Sequence, residues 1–167
     1  MITIISGSNR LDNNTRKVAE EYRRILGEQN RIDAHIYALD QIDGTVRDAS
    51  FITAEKEILI PAQKFIIIMP EYNGSYPGIL KLMIDNTDIK KVWSNKKVLL
   101  VGISTGRAGN LRGMEHLTGV LLHMKMLVHP NRLPISLVDK MMNTAGRFAD
   151  ENTLTAIQIQ LNEFVQF

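Results

Sequence analysis

FIIIMPEYNGSYPG, residues 65 to 78, opens with five consecutive apolar side chains and closes in prolines, glycines and polar residues. A strand that alternates apolar and polar residues faces one core, whereas a continuous run such as Phe65 to Met69 is covered on both faces, as in a parallel sheet flanked by helices. Pro70 cannot continue a ladder, and Gly74 frees the backbone to turn tightly. A tight turn with exposed N–H groups at the carboxyl end of a buried parallel strand is where open α/β sheets hold their ligands.

Two further runs match the first: ITIIS at 2 to 6, leading into GSNRLDNNT at 7 to 15, and VLLVGIS at 98 to 104, leading into STGRAGN at 104 to 110. Three strand ends therefore carry polar, glycine-containing turns. A fourth run, Ile32 to Leu39, alternates Ile32, Ala34, Ile36 and Ala38 against Asp33, His35 and Tyr37, which suits an edge strand. A weak fifth lies near Leu127 to His129.

Helical patterns fill the gaps. Val18, Tyr22, Ile25 and Leu26 share one face of a first helix, with Asn13 or Asn14 as its cap and Gly27 as its end. Glu55 to Ala62 reads as a short helix closed by Pro61, Gly78 to Asp88 as another, and Leu111 to Met126 as a longer one. Leu154, Ile157, Leu161, Phe164 and Val165 mark a last helix after a cap region at Asp150 to Thr153. Pro130 to Gly146 has no clear period and reads as a loop over a neighbour or part of the site. With right-handed crossovers, this order predicts an α/β three-layer sandwich with five parallel strands in the flavodoxin-like order 2-1-3-4-5. One domain over residues 1–167 is expected, since no boundary, repeat or low-complexity tract interrupts the chain.

Composition narrows the function classes. The chain of 167 residues is 44% hydrophobic and 23% charged, with a net charge of +2 and no cysteine. That size buries roughly 70% of the unfolded surface without disulfides or a structural metal. The missing cysteines remove thiolate sites and thiol nucleophiles. Scattered basic residues argue against nucleic acid, whose binding draws on clustered positive charge. No apolar run approaches a membrane span, and Met1 leads directly into a core strand, so the expectation is a cytoplasmic protein.

The first loop suits a terminal phosphate. Ser8, Arg10, Asn13, Asn14 and Thr15 surround the start of a helix, where free N–H groups and about half a positive charge attract anions. Arg10 adds a fork of donors. Gly7 is the loop's only glycine, so neither a Walker loop nor a dinucleotide fingerprint is present. Apolar residues beyond one sheet-facing stripe on the third and fourth helices, among them Leu80, Ile84, Val120, Leu122 and Met126, point to a second subunit. No two of the four histidines have the helical spacing of a metal pair, and no metal site is expected.

These motifs resemble those of the NAD(P)H-dependent FMN reductases, a flavodoxin-like family that includes quinone, azo-dye and chromate reductases. GSNR resembles the family's G-S-x-R phosphate loop, PEYNGSYPGILKLMID its P-E-Y-N-x-x-x-P-x-x-L-K-x-x-x-D signature, and STGRAGNLRG followed by EHL its third loop. The resemblance implies that Ser8, Arg10, Asn13, Asn14 and Thr15 surround the FMN phosphate. Pro70, Glu71, Tyr72, Asn73 and Gly74 would line the isoalloxazine, with backbone donors toward it, and the Glu71 N–H would be that residue's contribution. Ser104, Thr105, Gly106 and Arg107 would close the far side. The family commonly has serine in place of Asn13 and asparagine in place of Thr15.

The implied activity is electron transfer from NADPH or NADH through FMN to a small-molecule acceptor such as a quinone, a free flavin or an azo compound, with no side chain acting as acid or base. The family also implies a homodimer or homotetramer. The rival reading is a flavodoxin-type electron carrier without NAD(P)H turnover of its own. Arg10 and a pI near 8.9 weigh against it, because such carriers have arginine-free phosphate loops and acidic surfaces. A stacking role for Trp93 against the flavin is a further possibility.

Overall fold

The computed structural model describes residues 1–167. Six strands form one sheet: β1 (Ile2–Ser6), β2 (His35–Ala38), β3 (Lys64–Pro70), β4 (Lys97–Ile103), β5 (Leu127–Val128) and β6 (Leu133–Ile135). Their order is β2-β1-β3-β4-β5, with β6 also on β4, and every pairing is parallel. β5 pairs with Lys97 and Val98 and β6 with Val101 to Ile103, so the two share the fifth position along one edge of β4. The expected order holds, but the fifth strand is split. Pro130, which has no N–H to give a ladder, lies in the gap.

The sheet is apolar on both faces. Ile5, Phe65, Ile67, Met69, Val98 and Leu100 meet α2 (Ala49–Ala54), α3 (Gly78–Asn86), α4 (Ile89–Val92) and α5 (Leu111–His123) in one core. Ile2, Ile4, Ile66, Ile68, Leu99 and Val101 meet α1 (Asn14–Asn30), α6 (Val138–Met141) and α7 (Glu151–Gln166) in the other. Adjacent side chains of one strand point to opposite faces, which is why continuous apolar runs were required.

Several boundaries differ from the sequence expectation. α1 runs through Gly27 to Asn30, and Arg31, at φ 54, makes the left-handed turn that closes it, its N–H reaching the Leu26 carbonyl. An ion pair between Arg24 and Glu28 spans Gly27 within the continuing helix. The helix expected at Glu55 begins earlier, at an Asp48 cap whose carboxylate accepts from the Phe51 N–H at 2.8 Å, and passes into a π turn at Glu55–Leu59. β2 is four residues rather than eight. Tyr37, expected on its solvent side, is buried instead, and burial together with the nearby Glu55 carboxylate raises its hydroxyl to a pKa of about 12. The stretch from Pro130 to Gly146 contains β6 and α6 and is not one loop.

Candidate functional site

The carboxyl ends of β1, β3 and β4 open into a cleft of about 260 Å³. Arg10, Asn13, Asn14 and Thr15 of the first loop, Pro70, Glu71 and Tyr72 of the second, and Ser104 and Thr105 of the third all line it. Three turns that are far apart in sequence thus share one wall. Ser8, Asn73, Gly74, Gly106 and Arg107 lie outside the lining. Leu11, Asp12, Ile103 and Val138 complete it without having been singled out from the sequence. Val138 had no signal, because it belongs to a four-residue helix in a stretch without periodicity.

The start of α1 presents two unpaired amides. Asn13 caps α1, its Oδ1 accepting from the Arg16 N–H at 2.8 Å, while its Nδ2 donates to the Arg10 carbonyl. Both ends of that side chain are engaged, so Asn13 shapes the loop and keeps only its second Nδ2 hydrogen for an anion. The Asn14 and Thr15 N–H groups, the first two of the helix, have no partner in the chain. Helix geometry leaves these donors free, and the helix dipole makes the spot attractive to negative charge. Asp12 is the nearest carboxylate by sequence, and it is exposed and paired with Lys17 at 3.0 Å. That pairing limits its opposition to an anion.

Arg10 and Ser8 are tied to the second loop by Tyr72. The Arg10 guanidinium lies over the Tyr72 ring, 4.1 Å from its centre. Ser8 is fully buried, with its Oγ 2.8 Å from the Tyr72 hydroxyl and accepting from the Arg10 N–H at 3.2 Å. Ser8 therefore braces the cleft from beneath its surface. The guanidinium plane rests on the aromatic face and keeps its edge donors available.

The second loop folds into a two-residue reverse turn. Tyr72 and Ser75 exchange backbone hydrogen bonds at 2.9 and 3.1 Å, around Asn73 at φ 52 and Gly74 at φ 77. Two positive φ values in succession define the turn that Asn-Gly favours. Pro70 has no N–H, the Glu71 N–H donates to the Ile103 carbonyl at 3.0 Å, and the Tyr72 N–H is used within the turn. The Glu71 amide is thus committed to β4 and is no donor to a ligand, contrary to the sequence expectation. The Asn73 and Gly74 amides remain free.

In the third loop, Ser104 Oγ accepts from the Gly109 N–H at 2.9 Å and donates to the Gly106 carbonyl at 3.0 Å, curling the chain into a knot. The amides of Thr105, Gly106 and Arg107 point to no acceptor in the protein. Trp93 is remote from this chemistry. It is fully buried, 5.0 Å from the Phe65 ring, with its Nε1 donating to Thr87 Oγ1 at 2.6 Å, which excludes the stacking role considered from sequence.

This donor set suits FMN. Helix amides and a guanidinium at one end match a phosphate, and the turn amides match the heteroatoms along the edge of a flat ring. No cluster of histidine and carboxylate side chains suited to a metal ion is present.

Comparisons with known proteins agree with the geometry. The 2-hydroxy-1,4-benzoquinone reductase of Burkholderia sp is 27% identical, over 66% of this chain and 63% of its own length. The NAD(P)H-dependent FMN reductase PA1204 of Pseudomonas aeruginosa is 32% identical, over 64% of this chain and 59% of its own. The chain thus spans about three fifths of these curated relatives. Among solved structures, FerB, a flavoenzyme NAD(P)H:(acceptor) oxidoreductase from Paracoccus denitrificans, superposes with a TM-score of 0.80 at 22% identity, over 99% of this chain and 94% of FerB. A flavodoxin from the domain Archaea superposes at 0.62 and 14% identity, over 97% and 95% of the two chains. Both structures share the fold. The sequence model described as NADPH-dependent FMN reductase matches residues 1–138, a span that begins with β1 and takes in all three loops, and the chain accordingly belongs to that family.

Proposed function

We propose that the protein is a single-domain, FMN-dependent NAD(P)H oxidoreductase that reduces a small acceptor of the quinone class. The observation that carries this reading is the convergence of the free α1 amides, Arg10, Tyr72 and Thr105 on one cleft, with the Asn73–Gly74 turn directly following Tyr72. Arg10 and the Asn14 and Thr15 amides would hold the phosphate, and the second and third loops would hold the ring. When bound, FMN supplies the redox chemistry, accepting two electrons from the nicotinamide and passing them to the acceptor. The protein binds, orients and screens. Tyr72 keeps Arg10 near the phosphate end, while Ile103 and Val138 place apolar surface beside the polar turns.

Affinity follows from size. FMN has roughly 30 non-hydrogen atoms, and about −0.3 kcal/mol for each gives about −9 kcal/mol, which is sub-micromolar binding. The test is direct: protein mixed with FMN and gel-filtered should keep a flavin absorbance band, and NADPH should bleach it without a partner protein. A preparation that takes up no flavin refutes the cofactor assignment. One that binds flavin but ignores both NADPH and NADH supports the electron-carrier reading instead.

The quinone class is supported by the Burkholderia relative, a 2-hydroxy-1,4-benzoquinone reductase. Self-association is proposed through the α3 and α5 faces. There, Leu82 on α3 and Leu122 on α5 are exposed, and beside them a groove between the helices sets Ile89, Val120 and the edges of the buried Ile84 and Met124 among Lys81, Asp85, His116 and His123. Light scattering should give at least twice the monomer mass; a value of 18.9 kDa would rule the association out. No helix is long and apolar enough to cross a membrane.

A further inference from the structure

Asn110 immediately precedes α5 and has a left-handed backbone at φ 61. A side chain at that position ordinarily accepts from the first amides of its helix. Asn110 makes no such bond. It is fully buried, and its Nδ2 reaches back across the sheet, donating to the Met69 carbonyl at 3.2 Å and to the Pro70 carbonyl at 2.9 Å. Both acceptors lie at the carboxyl end of β3, directly before the turn that carries Asn73 and Gly74.

The surroundings are shaped to this side chain. A Cβ on Gly102 would run into the Gly109 carbonyl oxygen and lie 3.1 Å from the Asn110 Cβ. A Cβ on Gly113 would collide with Asn110 Oδ1. Gly109, at φ 55, packs so that a Cβ would come within 2.7 Å of Pro134. Glycines thus surround Asn110 from β4, from the third loop and from the first turn of α5. At Gly113 the Asn110 amide itself is the obstacle, whereas at Gly102 it is chiefly the Gly109 carbonyl and at Gly109 the Pro134 and Ile135 backbone.

Few bonds tie the second loop to the third-loop side of the cleft. The β3–β4 ladder carries Met69 and Pro70 alongside Gly102 and Ile103 and ends with the Glu71 N–H on the Ile103 carbonyl; beyond it, the two bonds from Asn110 and the contact of Ser75 Oγ with His116 on α5 at 2.9 Å make the connection. Removal of the Asn110 amide would leave the Met69 and Pro70 carbonyls without this buried donor and the turn free to shift. A shift well below 1 Å is enough to misalign donors around a rigid ring.

We propose that Asn110 is a positioning residue: it sets the separation of the second and third loops and so fixes the turn amides that meet the flavin ring. The proposal rests on the FMN reading above. It assigns Asn110 to the ring end of the site and not to the phosphate end.

The test compares wild type with Asn110→Gly, which keeps the left-handed backbone, and Asn110→Asp, which keeps the shape but turns an acceptor toward two carbonyl oxygens. Calorimetric titration with FMN and with riboflavin, thermal melts of the apo protein, and the visible circular dichroism of bound flavin are measured together. Both variants should weaken FMN and riboflavin by the same factor, about tenfold or more, and change the visible dichroism of the flavin that remains bound. If either folded variant binds both flavins as tightly as wild type with an unchanged spectrum, the proposal is overturned, even where its melting temperature falls. Should Asn110→Asp not fold, Asn110→Gly decides alone. If wild type itself takes up no flavin, it is the proposed function that fails.

Discussion

At the scale of single residues, the site divides by task. Arg10 carries the charge, Tyr72 holds it in place, and Ser8 anchors Tyr72 from below. Arg10→Ala removes a charged contact and should weaken FMN by about 2 kcal/mol while affecting riboflavin much less, since riboflavin lacks the phosphate. Titration of both ligands checks this, and equal losses would place the phosphate elsewhere. Tyr72→Leu keeps bulk but deletes the ring face and the hydroxyl, so it should reproduce part of the Arg10 effect, about 0.5–1 kcal/mol. In Arg10→Ala, the same Tyr72 change should weaken FMN less than in wild type, because part of its effect runs through the arginine. The sequence made Arg10 and Tyr72 visible as motif members. It could not show them touching, because the contact depends on how far each loop leans after its strand ends.

At the scale of elements, the strands were the most legible part. Phe65 to Met69 and Val98 to Ile103 are apolar at every position save Gly102 and are buried throughout. That pattern requires helices on both sides. Boundaries set by backbone geometry were harder to read. Gly27 looked like a terminator, yet the left-handed turn falls on Arg31, and a Cβ at Gly27 would meet nothing within 4 Å. Gly27→Ala should therefore stabilise α1 by about 0.5–1 kcal/mol, seen as a higher denaturant midpoint with an unchanged slope. α2 was missed at its start because its signal is the single cap Asp48, and β6 because three residues containing a proline carry no period. The three-loop cleft was legible because each loop follows a strand end that the topology makes adjacent. Asn110 was not, since its role lies in a side chain crossing between elements.

At the scale of the whole molecule, Glu55 links parts of the chain that are distant in sequence. It is buried, accepts from Arg47 Nη2 at 2.7 Å, and accepts from the Asp88 N–H at 2.7 Å, joining the α2 segment to the start of α4. Burial works against its charge, but Arg47 and the Asp88 amide outweigh that and hold the carboxyl below its ordinary value of 4.5. A depressed folded-state pKa stabilises the fold above the unfolded value, and this contribution fades as pH falls through the folded one. Glu55→Gln should therefore be less stable than wild type by about 1–3 kcal/mol near neutrality, with the gap narrowing from about pH 5 downward. Urea melts across that range check it, and a constant gap would contradict the linkage. The two cores, separated by the sheet, have one further consequence. The only tryptophan, Trp93, lies in the core with α3 and α5, and the layer holding α1 and α7 has none. Intrinsic fluorescence is thus a one-sided witness to unfolding, and early loosening of the α1 and α7 layer would register in amide exchange while the emission stayed unchanged.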